Sequence, residues 1–354
     1  MDISDTEISF DENGICNHCN DYEERKILYK IKSNGSVKDL IDRIKSNSLR
    51  KKYDCIVGVS GGVDSSYVAL IAKKYDLRVL LVHLDNGWNS ELAIHNIQKI
   101  VDYTGFDLHT IVIDWKEFKD IQKSFFHADV VDLELVSDHA IFASVYEISK
   151  KYGVRYILNG ENFETEAIMP KSWNWSKSDA TNIKDIHRIY GSGIKPKTFP
   201  FMSTLKKVYF KFIYRIESIQ ILNLIEYNKE KAISLLESEI GWVNYGGKHF
   251  ESIFTRFYQG LILPKKFNID KRKAHLSTLI NSGQITKDEA INSLNSISYS
   301  EELQKEDFDY VCKKLGFEKS ELENYLNRPS KSHSMYKNEE WVYKFLLRIR
   351  SLFS

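Results

Sequence analysis

Serine, glycine and aspartate residues lie close together in one short segment, SGGVDSS at 60–66. Glycine has no Cβ atom, so the two adjacent glycines allow successive backbone N–H groups to turn toward a phosphate. Apolar residues recur at helical spacing after the segment, and the free N–H groups and positive end of a helix attract the same anion. The spacing therefore predicts a phosphate-binding loop at the start of a helix.

An aspartate inside a phosphate loop repels the phosphates unless a divalent cation lies between them. Asp64 therefore predicts Mg²⁺ in addition to a nucleotide, and we expect Asp64 and Ser60 to take part in catalysis. The residues expected to bind the nucleotide phosphates are Ser60, Gly61, Gly62, Val63, Asp64, Ser65 and Ser66.

The spacing differs from G-x-x-x-x-G-K-[ST] and from G-x-G-x-x-G, the two commoner glycine-rich signatures. It resembles the S-G-G-x-D-S-S loop of the ATP pyrophosphatase (PP-loop) superfamily. That resemblance implies cleavage of ATP to AMP and pyrophosphate, with adenylylation of a carbonyl-type oxygen. A plain structural turn is the alternative, but the apolar strand before the loop and the helix behind it favour the nucleotide site.

Short apolar runs alternate with helical patterns from residue 53 to about 165, as a doubly wound parallel α/β sheet requires. Glycines at positions 105 and 153 follow two of the helical patterns, where a left-handed C-cap is needed. In such sheets ligands bind beyond the carboxyl ends of the strands. The predicted strands are 55–59, 79–84, 110–113 and 156–158.

Polar residues follow the second and fourth of these strands. Asp85 is a candidate for metal or ribose binding, and Gly160 would admit the nucleotide close to the backbone. Trp88 and Glu161, from the same two strand ends, are candidate substrate contacts. Each alone fits a surface turn, but their joint placement at one sheet edge favours a binding site.

The chain divides by pattern into an N-terminal segment (1–52), an ATP-binding α/β domain (53–200) and a helical region (201–354) that contributes to substrate binding. Cys16 and Cys19 form a C-x-x-C, which is half of a zinc-ribbon ligand set, so we expect a small zinc-ribbon-like piece with an incomplete set of ligands. A redox pair, a sulfur-handling pair and two buried thiols are the other interpretations.

Basic and aromatic residues interleave between 205 and 227, which predicts a partly buried helix with cations on its solvent face rather than an RNA or membrane surface. Segments 241–251 and 263–272 mix aromatics, glycines and cations. They fit either a pocket for an anionic, ring-containing substrate or an irregular helical subdomain. From them we take Lys265 and Lys271 as catalytic candidates. The candidate substrate contacts are Lys248, His249, Asp270 and Arg272.

Composition limits the function classes. With 354 residues, of which 42% are hydrophobic, the chain can bury a substantial core. A net charge of +1 gives no general signal for polyanion binding, so no nucleic-acid partner is expected. No apolar run reaches the roughly 20 residues of a membrane span, and the start resembles no signal peptide, so we expect a cytoplasmic protein without membrane insertion. Four cysteines are too few for a disulfide scaffold.

Beyond the superfamily, the sequence resembles the N-acetyl sugar amidotransferases of O-antigen and lipopolysaccharide biosynthesis, the WbpG type. The matching segments, in order, are FDENGICNHC at 10–19, SGGVDSS at 60–66, LDNGW at 84–88, LNGEN at 158–162, GWVNYGGKHFES at 241–252, TRFYQGLILPKKFNIDKR at 255–272 and HLSTLINSGQIT at 275–286. Members of this family usually carry a further C-x-x-C ahead of the segment that opens here at Met1. The resemblance thus implies either an incomplete zinc site or a start further upstream.

The resemblance implies a carbon–nitrogen ligase that converts an acetamido group on a nucleotide-linked sugar into an acetamidino group, forming AMP and pyrophosphate. The ammonia would come from a glutaminase subunit, alone or with a cyclase-like second subunit. One rival is a tRNA-modifying PP-loop enzyme that adenylylates a base carbonyl for thiolation, against which the near-neutral charge counts. The other is a non-catalytic adenine-nucleotide module, which would not need Asp64 beside the phosphates.

Overall fold

Five strands form one parallel sheet in the order β3-β2-β1-β4-β5. The computed structural model describes residues 1–32, 36–245, 251–296 and 299–352. The most apolar runs form the central strands, because a strand covered by helices on both faces excludes water from both sets of side chains. The strands are β1 Cys55–Gly58, β2 Val79–Asp85, β3 Asp107–Val112, β4 Tyr156–Asn159 and β5 Glu217–Gln220.

Helices account for most of the remaining chain, and the region after the sheet is mostly helical, as predicted. The helices are α1 Asn17–Lys32, α2 Val37–Asn47, α3 Val63–Lys74, α4 Glu91–Thr104, α5 Trp115–Ala128, α6 Leu135–Tyr152, α7 Phe163–Glu166, α8 Ala180–Tyr190, α9 Thr204–Phe212, α10 Lys229–Ile240, α11 Ile253–Phe257, α12 Leu263–Phe267, α13 Lys271–Asn281, α14 Lys287–Asn295, α15 Glu301–Leu315, α16 Lys319–Asn327 and α17 Glu340–Leu352. Within the described ranges, no helix has the length and apolar character needed to cross a membrane.

Helices cover both faces of the sheet, which confirms the doubly wound class. Val57 of β1 points into a core shared with α2, α3, α4 and α10. Its neighbour Ile56 points into a second core with α6 and α9, because successive strand side chains alternate between faces. A third core joins α5 to the C-terminal helices through residues such as Phe126 and Phe254.

The strand order reverses between β1 and β4. In open α/β sheets this reversal opens a crevice beyond the carboxyl ends of the two strands, where ligands bind. Val57 of β1 pairs with Leu158 of β4, so the loop after β1 and the turn after β4 leave the sheet side by side. The predicted phosphate loop and Gly160 therefore lie at the mouth of this crevice.

Two sequence expectations about the sheet are wrong at its edges. Strand β3 begins at Asp107, three residues before the predicted start, and the helix predicted over 205–227 ends at Phe212. The chain reverses through Arg215, which has a positive φ of 53°, and then forms β5. Both β3 and β5 are edge strands with exposed positions, so neither shows the continuous apolar run that marks a buried strand.

The predicted domain boundaries also differ from the packing. The sheet continues past residue 200, because β5 pairs with β4 along its whole length. The N-terminal segment is not separate either, since Leu40 and Ile44 of α2 are buried in the same core as β1. Their spacing places both on one helix face, which packs against the sheet.

Candidate active site

The loop after β1 has the backbone conformation that the glycines predicted. Gly61 has a φ of +81°, and a Cβ atom at this position would lie 2.5 Å from the carbonyl oxygen of Ala93 on α4. Both the dihedral angle and the close approach exclude a side chain. Gly62 is the N-cap residue of α3, so the first N–H groups of that helix open onto the loop.

Serine hydroxyls form hydrogen bonds within the loop. The Ser65 Oγ donates to the Gly62 carbonyl at 3.1 Å, and the Ser66 Oγ donates to the same carbonyl at 2.7 Å. The Ser60 N–H donates to the Ser65 Oγ at 3.3 Å. These bonds hold the loop in its curved form, so little ordering is left for a ligand to impose.

Asp64 lies in the first turn of α3 and is held between two residues that are distant in sequence. The phenol of Tyr227 donates to its Oδ1. On the other side, a Cβ atom at Gly160 would lie 2.9 Å from the Asp64 Cβ, so the turn after β4 packs directly on this residue. Burial and the Asp64 carboxylate both raise the pKa of Tyr227, which keeps the phenol protonated as a donor.

Residues at the end of β2 form a tight turn at the same edge of the sheet. The Asp85 Oδ1 accepts the Gly87 N–H at 2.9 Å, and Asn89 lies 3.5 Å from the same oxygen. The next member of this segment, Trp88, is only 1% exposed and packs on Trp115 and Phe254. The expected substrate role of Trp88 is therefore wrong, because an indole that is buried to this extent is not accessible to a ligand.

Glu161 and its neighbours supply charge at the mouth of the crevice. Its side chain is exposed, accepts a hydrogen bond from Gln220 at 3.1 Å and lies 4.0 Å from the ammonium of Lys177. Lys177 also pairs with Asp138 of α6 at 3.3 Å. Mixed charges of this kind can hold a polar ligand against the sheet edge.

Lys271 reaches the N-terminal end of α6 from the C-terminal region. Its ammonium lies 3.1 Å from Glu134, which also accepts a hydrogen bond from Gln259 at 2.9 Å, and it lies over the Tyr258 ring. Burial alone would lower the pKa of Lys271, but Glu134 and Asp132 outweigh it and raise the pKa. Lys271 is therefore a positively charged group beside the N-terminal end of α6.

Burial also raises the pKa of Asp132 to about 7, although Lys271 opposes the shift. The same end of α6 is tied to the sheet, because Asn86 donates to the Ser137 Oγ at 3.1 Å.

The other predicted C-terminal residues are not brought to the loop by their contacts. Asp270 caps α13 and pairs with Arg272 at 2.8 Å, which gives both side chains a local structural role. Lys265 is exposed on α12. Lys248 and His249 lie outside the described residues.

The ends of segment 241–251 contact the phosphate loop. Trp242 and Tyr245 donate to the Gly61 carbonyl at 2.9 and 3.2 Å. Glu251 follows, and its Oε1 would lie 3.4 Å from a Cβ atom at Gly62. The next residue, Ser252, forms an antiparallel bridge with Asn89. The residue pattern of this segment fitted a substrate pocket, but nothing in the pattern indicated that the segment contacts the phosphate loop.

The two thiols of the C-x-x-C lie at the start of α1 rather than in a zinc ribbon. Cys16 and Cys19 have their sulfur atoms 3.5 Å apart, and His18 is engaged by Asp5 at 2.6 Å. In the part of the chain that the structure describes, no group of three or more His, Cys, Asp or Glu side chains could hold a metal ion. The zinc-ribbon interpretation therefore has no support in these contacts.

We expect Cys16 and Cys19 to bind zinc only weakly, because two thiolates fill half of a tetrahedral shell. Dialysis of the purified protein against a chelator, followed by metal analysis, measures this directly. A Cys16→Ser/Cys19→Ser variant gives the background, and near-background zinc in the native protein is the expected result. Stoichiometric zinc that survives dialysis would contradict the prediction and require further ligands.

Comparison with known proteins agrees with this geometry. Residues 251–350 match the family described as LPS biosynthesis protein WbpG-like, C-terminal domain, and residues 36–162 match the asparagine synthase family. The chain is thus a PP-loop protein with ATP-dependent chemistry of the amidotransferase type. Within that class, the two matches support the WbpG-type family, as the sequence segments predicted.

Similar solved structures include an NH3-dependent NAD synthetase from Campylobacter jejuni subsp. jejuni NCTC 11168, at 15% identity and a TM-score of 0.31, with 57% of this chain and 82% of that chain covered. A predicted subunit of tRNA methyltransferase from Methanocaldococcus jannaschii DSM has 16% identity and a TM-score of 0.29, with coverage of 51% and 72%. TM-scores this low support no conclusion about activity. Among curated proteins, no sequence matches the chain.

Proposed function

We propose that the protein converts the acetamido group of a nucleotide-linked N-acetyl sugar into an acetamidino group, using ATP and ammonia. The observation that supports this most is the preformed phosphate loop with Asp64 fixed beside it at the β1/β4 crevice. Glu161 lies at the same edge, and Lys271 reaches the adjoining end of α6. They provide polar groups for a second substrate.

The chemistry follows from the poor leaving group of an amide. Attack of the acetamido oxygen on the α-phosphorus of ATP forms an O-adenylyl imidate and releases pyrophosphate. Ammonia then adds to the imidate carbon, the C–O bond to AMP breaks, and loss of a proton leaves the amidine. The N–H groups of the loop and of the α3 N-terminus stabilise the negative charge that develops on the pyrophosphate.

The residues present suit a magnesium ion that is bound mainly through substrate. Mg²⁺ is commonly held by one or two carboxylates, with phosphate oxygens and water as the other ligands. Asp64 is the carboxylate in that position, and Asp85 at the neighbouring strand end is a second candidate. When bound, the ion would offset the negative charge of the phosphates.

The proposed reaction is tested by incubating the protein with ATP, Mg²⁺, ammonium and a panel of nucleotide-linked N-acetyl sugars. We expect AMP and pyrophosphate in equal amounts, and a sugar product whose mass shows replacement of oxygen by NH. Pyrophosphate release that needs tRNA and ignores the sugars would contradict the proposal and favour the base-modifying alternative.

We predict that this chain uses free ammonia but does not hydrolyse glutamine. A glutaminase needs an activated nucleophile, usually a thiol with a lowered pKa. Burial instead raises the pKa of the thiols of Cys19 and Cys55, and raises that of Cys312 to about 11. Amidine formation should rise with pH at fixed total ammonium, because the NH₃ fraction increases.

Glutamine should replace ammonium only when the partner glutaminase is added. The measurement is glutamate release alongside amidine formation, with the protein alone and with partner. Glutamate release by this chain alone, at a rate that matches amidine formation, would overturn this division of labour.

A further inference from the structure

We propose that Trp242 is a positioning residue for the phosphate loop: its indole N–H fixes the Gly61–Gly62 peptide so that the Gly62 N–H faces the phosphates of ATP. The inference rests on the proposed function, because it takes the loop to bind ATP. Trp242 lies about 180 residues after the loop in sequence, and its hydrogen-bond distance to Gly61 is 2.9 Å.

The hydrogen bonds to the Gly61 carbonyl also determine the direction of the Gly62 N–H, because both groups belong to one planar peptide. The Trp242 Nε1 and the Tyr245 phenol both donate to the Gly61 carbonyl. The peptide is trans, so its C=O and N–H groups point in opposite directions. Holding the carbonyl toward the two aromatic donors therefore turns the Gly62 N–H toward the opposite side of the loop.

The Gly62 N–H is available to a stronger acceptor. Its partner in this structure is the Ser60 Oγ at 3.3 Å, which is long for an N–H···O bond. A phosphate oxygen carries negative charge and forms shorter, stronger bonds with such donors. Replacement of the serine hydroxyl by phosphate is thus favourable without a change in the peptide plane.

The Trp242 side chain cannot move with the loop, because the backbone of the next residue, Val243, is hydrogen-bonded to α4. Asn96, which is fully buried on that helix, accepts the Val243 N–H at 2.9 Å and donates to the Val243 carbonyl at 2.9 Å. The same helix backs Gly61 through the Ala93 carbonyl. Trp242 is 2% exposed, so water does not compete for its N–H. Helix α4 and Trp242 are thus joined to each other, and both contact the loop at Gly61.

Trp242→Phe tests this inference, because it removes the N–H donor while leaving an aromatic ring in the core. The matched control is Trp175→Phe, which removes an indole hydrogen bond of the same 2.9 Å length, to Asp179. Calorimetric titrations with ATP and, separately, with AMP are made on both variants and on the native protein. Thermal unfolding confirms that each variant is folded.

We expect Trp242→Phe to weaken ATP binding about tenfold, the upper range for one lost hydrogen bond. Its AMP affinity should stay at the native value, since the loop holds the phosphates that leave as pyrophosphate. Trp175→Phe should keep both affinities. A general packing defect would weaken both nucleotides together, so the ratio of the two affinities separates positioning from stability.

Native ATP affinity in Trp242→Phe, or an equal loss for ATP and AMP, would overturn the inference. Failure of the native protein to bind ATP would instead overturn the proposed function. If Trp242→Phe does not fold, Tyr245→Phe applies the same test to the second donor. Its control is Tyr336→Phe, which removes a phenol bond of 3.0 Å to the Ala128 carbonyl. A loss of ATP affinity confined to Tyr245→Phe supports the inference, and native affinity contradicts it.

Discussion

Asp64→Ala is expected to abolish formation of AMP and pyrophosphate while leaving the protein folded. The side chain is partly exposed at the start of α3, so its loss creates no core cavity. It removes the carboxylate that would hold Mg²⁺, and loss of such a contact commonly costs about 10²–10³-fold or more in rate. Pyrophosphate release under saturating ATP and Mg²⁺ measures the effect, with circular dichroism as the check on folding.

Two further variants separate the metal role from the structural role of Asp64. Asp64→Asn keeps an acceptor for the buried Tyr227 phenol but removes the charge, so it should be nearly as inactive as alanine. Tyr227→Phe removes the phenol and keeps the carboxylate, so its rate should fall only a few-fold, by about 1 kcal/mol. Substantial turnover in a folded Asp64→Ala protein would rule out the proposed metal role.

Gly61→Ala is expected to abolish ATP binding. The residue has a φ of +81°, and the new Cβ atom would lie 2.5 Å from the Ala93 carbonyl oxygen, so the loop must move away from α4. Positive φ costs an alanine about 1–2 kcal/mol, and the displaced loop no longer presents its N–H groups together. Titration with ATP should show a loss of affinity of more than about 100-fold.

Gly105→Ala is the matched control for this variant. Gly105 ends α4 with a φ of +69°, but among the residues that the structure describes none beyond its chain neighbours lies within 4 Å of the position of its Cβ atom. It therefore has the same kind of backbone cost, about 1–2 kcal/mol of folding stability, without the collision that Gly61→Ala adds. Only Gly61→Ala should lose ATP. Native affinity in Gly61→Ala would show that the loop tolerates the shift and would contradict the structural argument.

The elements that could be predicted from the sequence are those whose signal lies in a few neighbouring residues. Strands β1, β2 and β4 were found because central parallel strands are continuously apolar, and the phosphate loop because its spacing is a short-range signal. Strand β5 was missed because an edge strand of four residues, two exposed and two half-buried, resembles the helix end beside it. Its place in the sheet depends on pairing with β4, which no local pattern encodes.

The same division holds for the candidate site. Gly61 and Asp64 were predicted from neighbours within the loop, whereas Tyr227 and Trp242 reach it from more than 160 residues away. Nothing around Tyr227 distinguishes it from a core aromatic, and the segment that holds Trp242 was marked for a pocket without any sign of a contact to the loop. Trp88 shows the opposite error, because an aromatic residue after a strand end suits a site, yet tertiary packing buries it.

The bridge between Asn89 and Ser252 bears on how such a protein can diversify. Around it, the Ser90 N–H bonds the Glu251 carbonyl at 2.9 Å, and the Ile253 N–H bonds the Trp88 carbonyl at 3.0 Å. Segments 88–90 and 251–253 thus meet through main-chain N–H and C=O groups, which do not depend on the identity of the side chain. The alignment of these two segments therefore rests on bonds that a change of side chain leaves in place, so substitutions beside the ATP site can alter its surface while the segments keep their register.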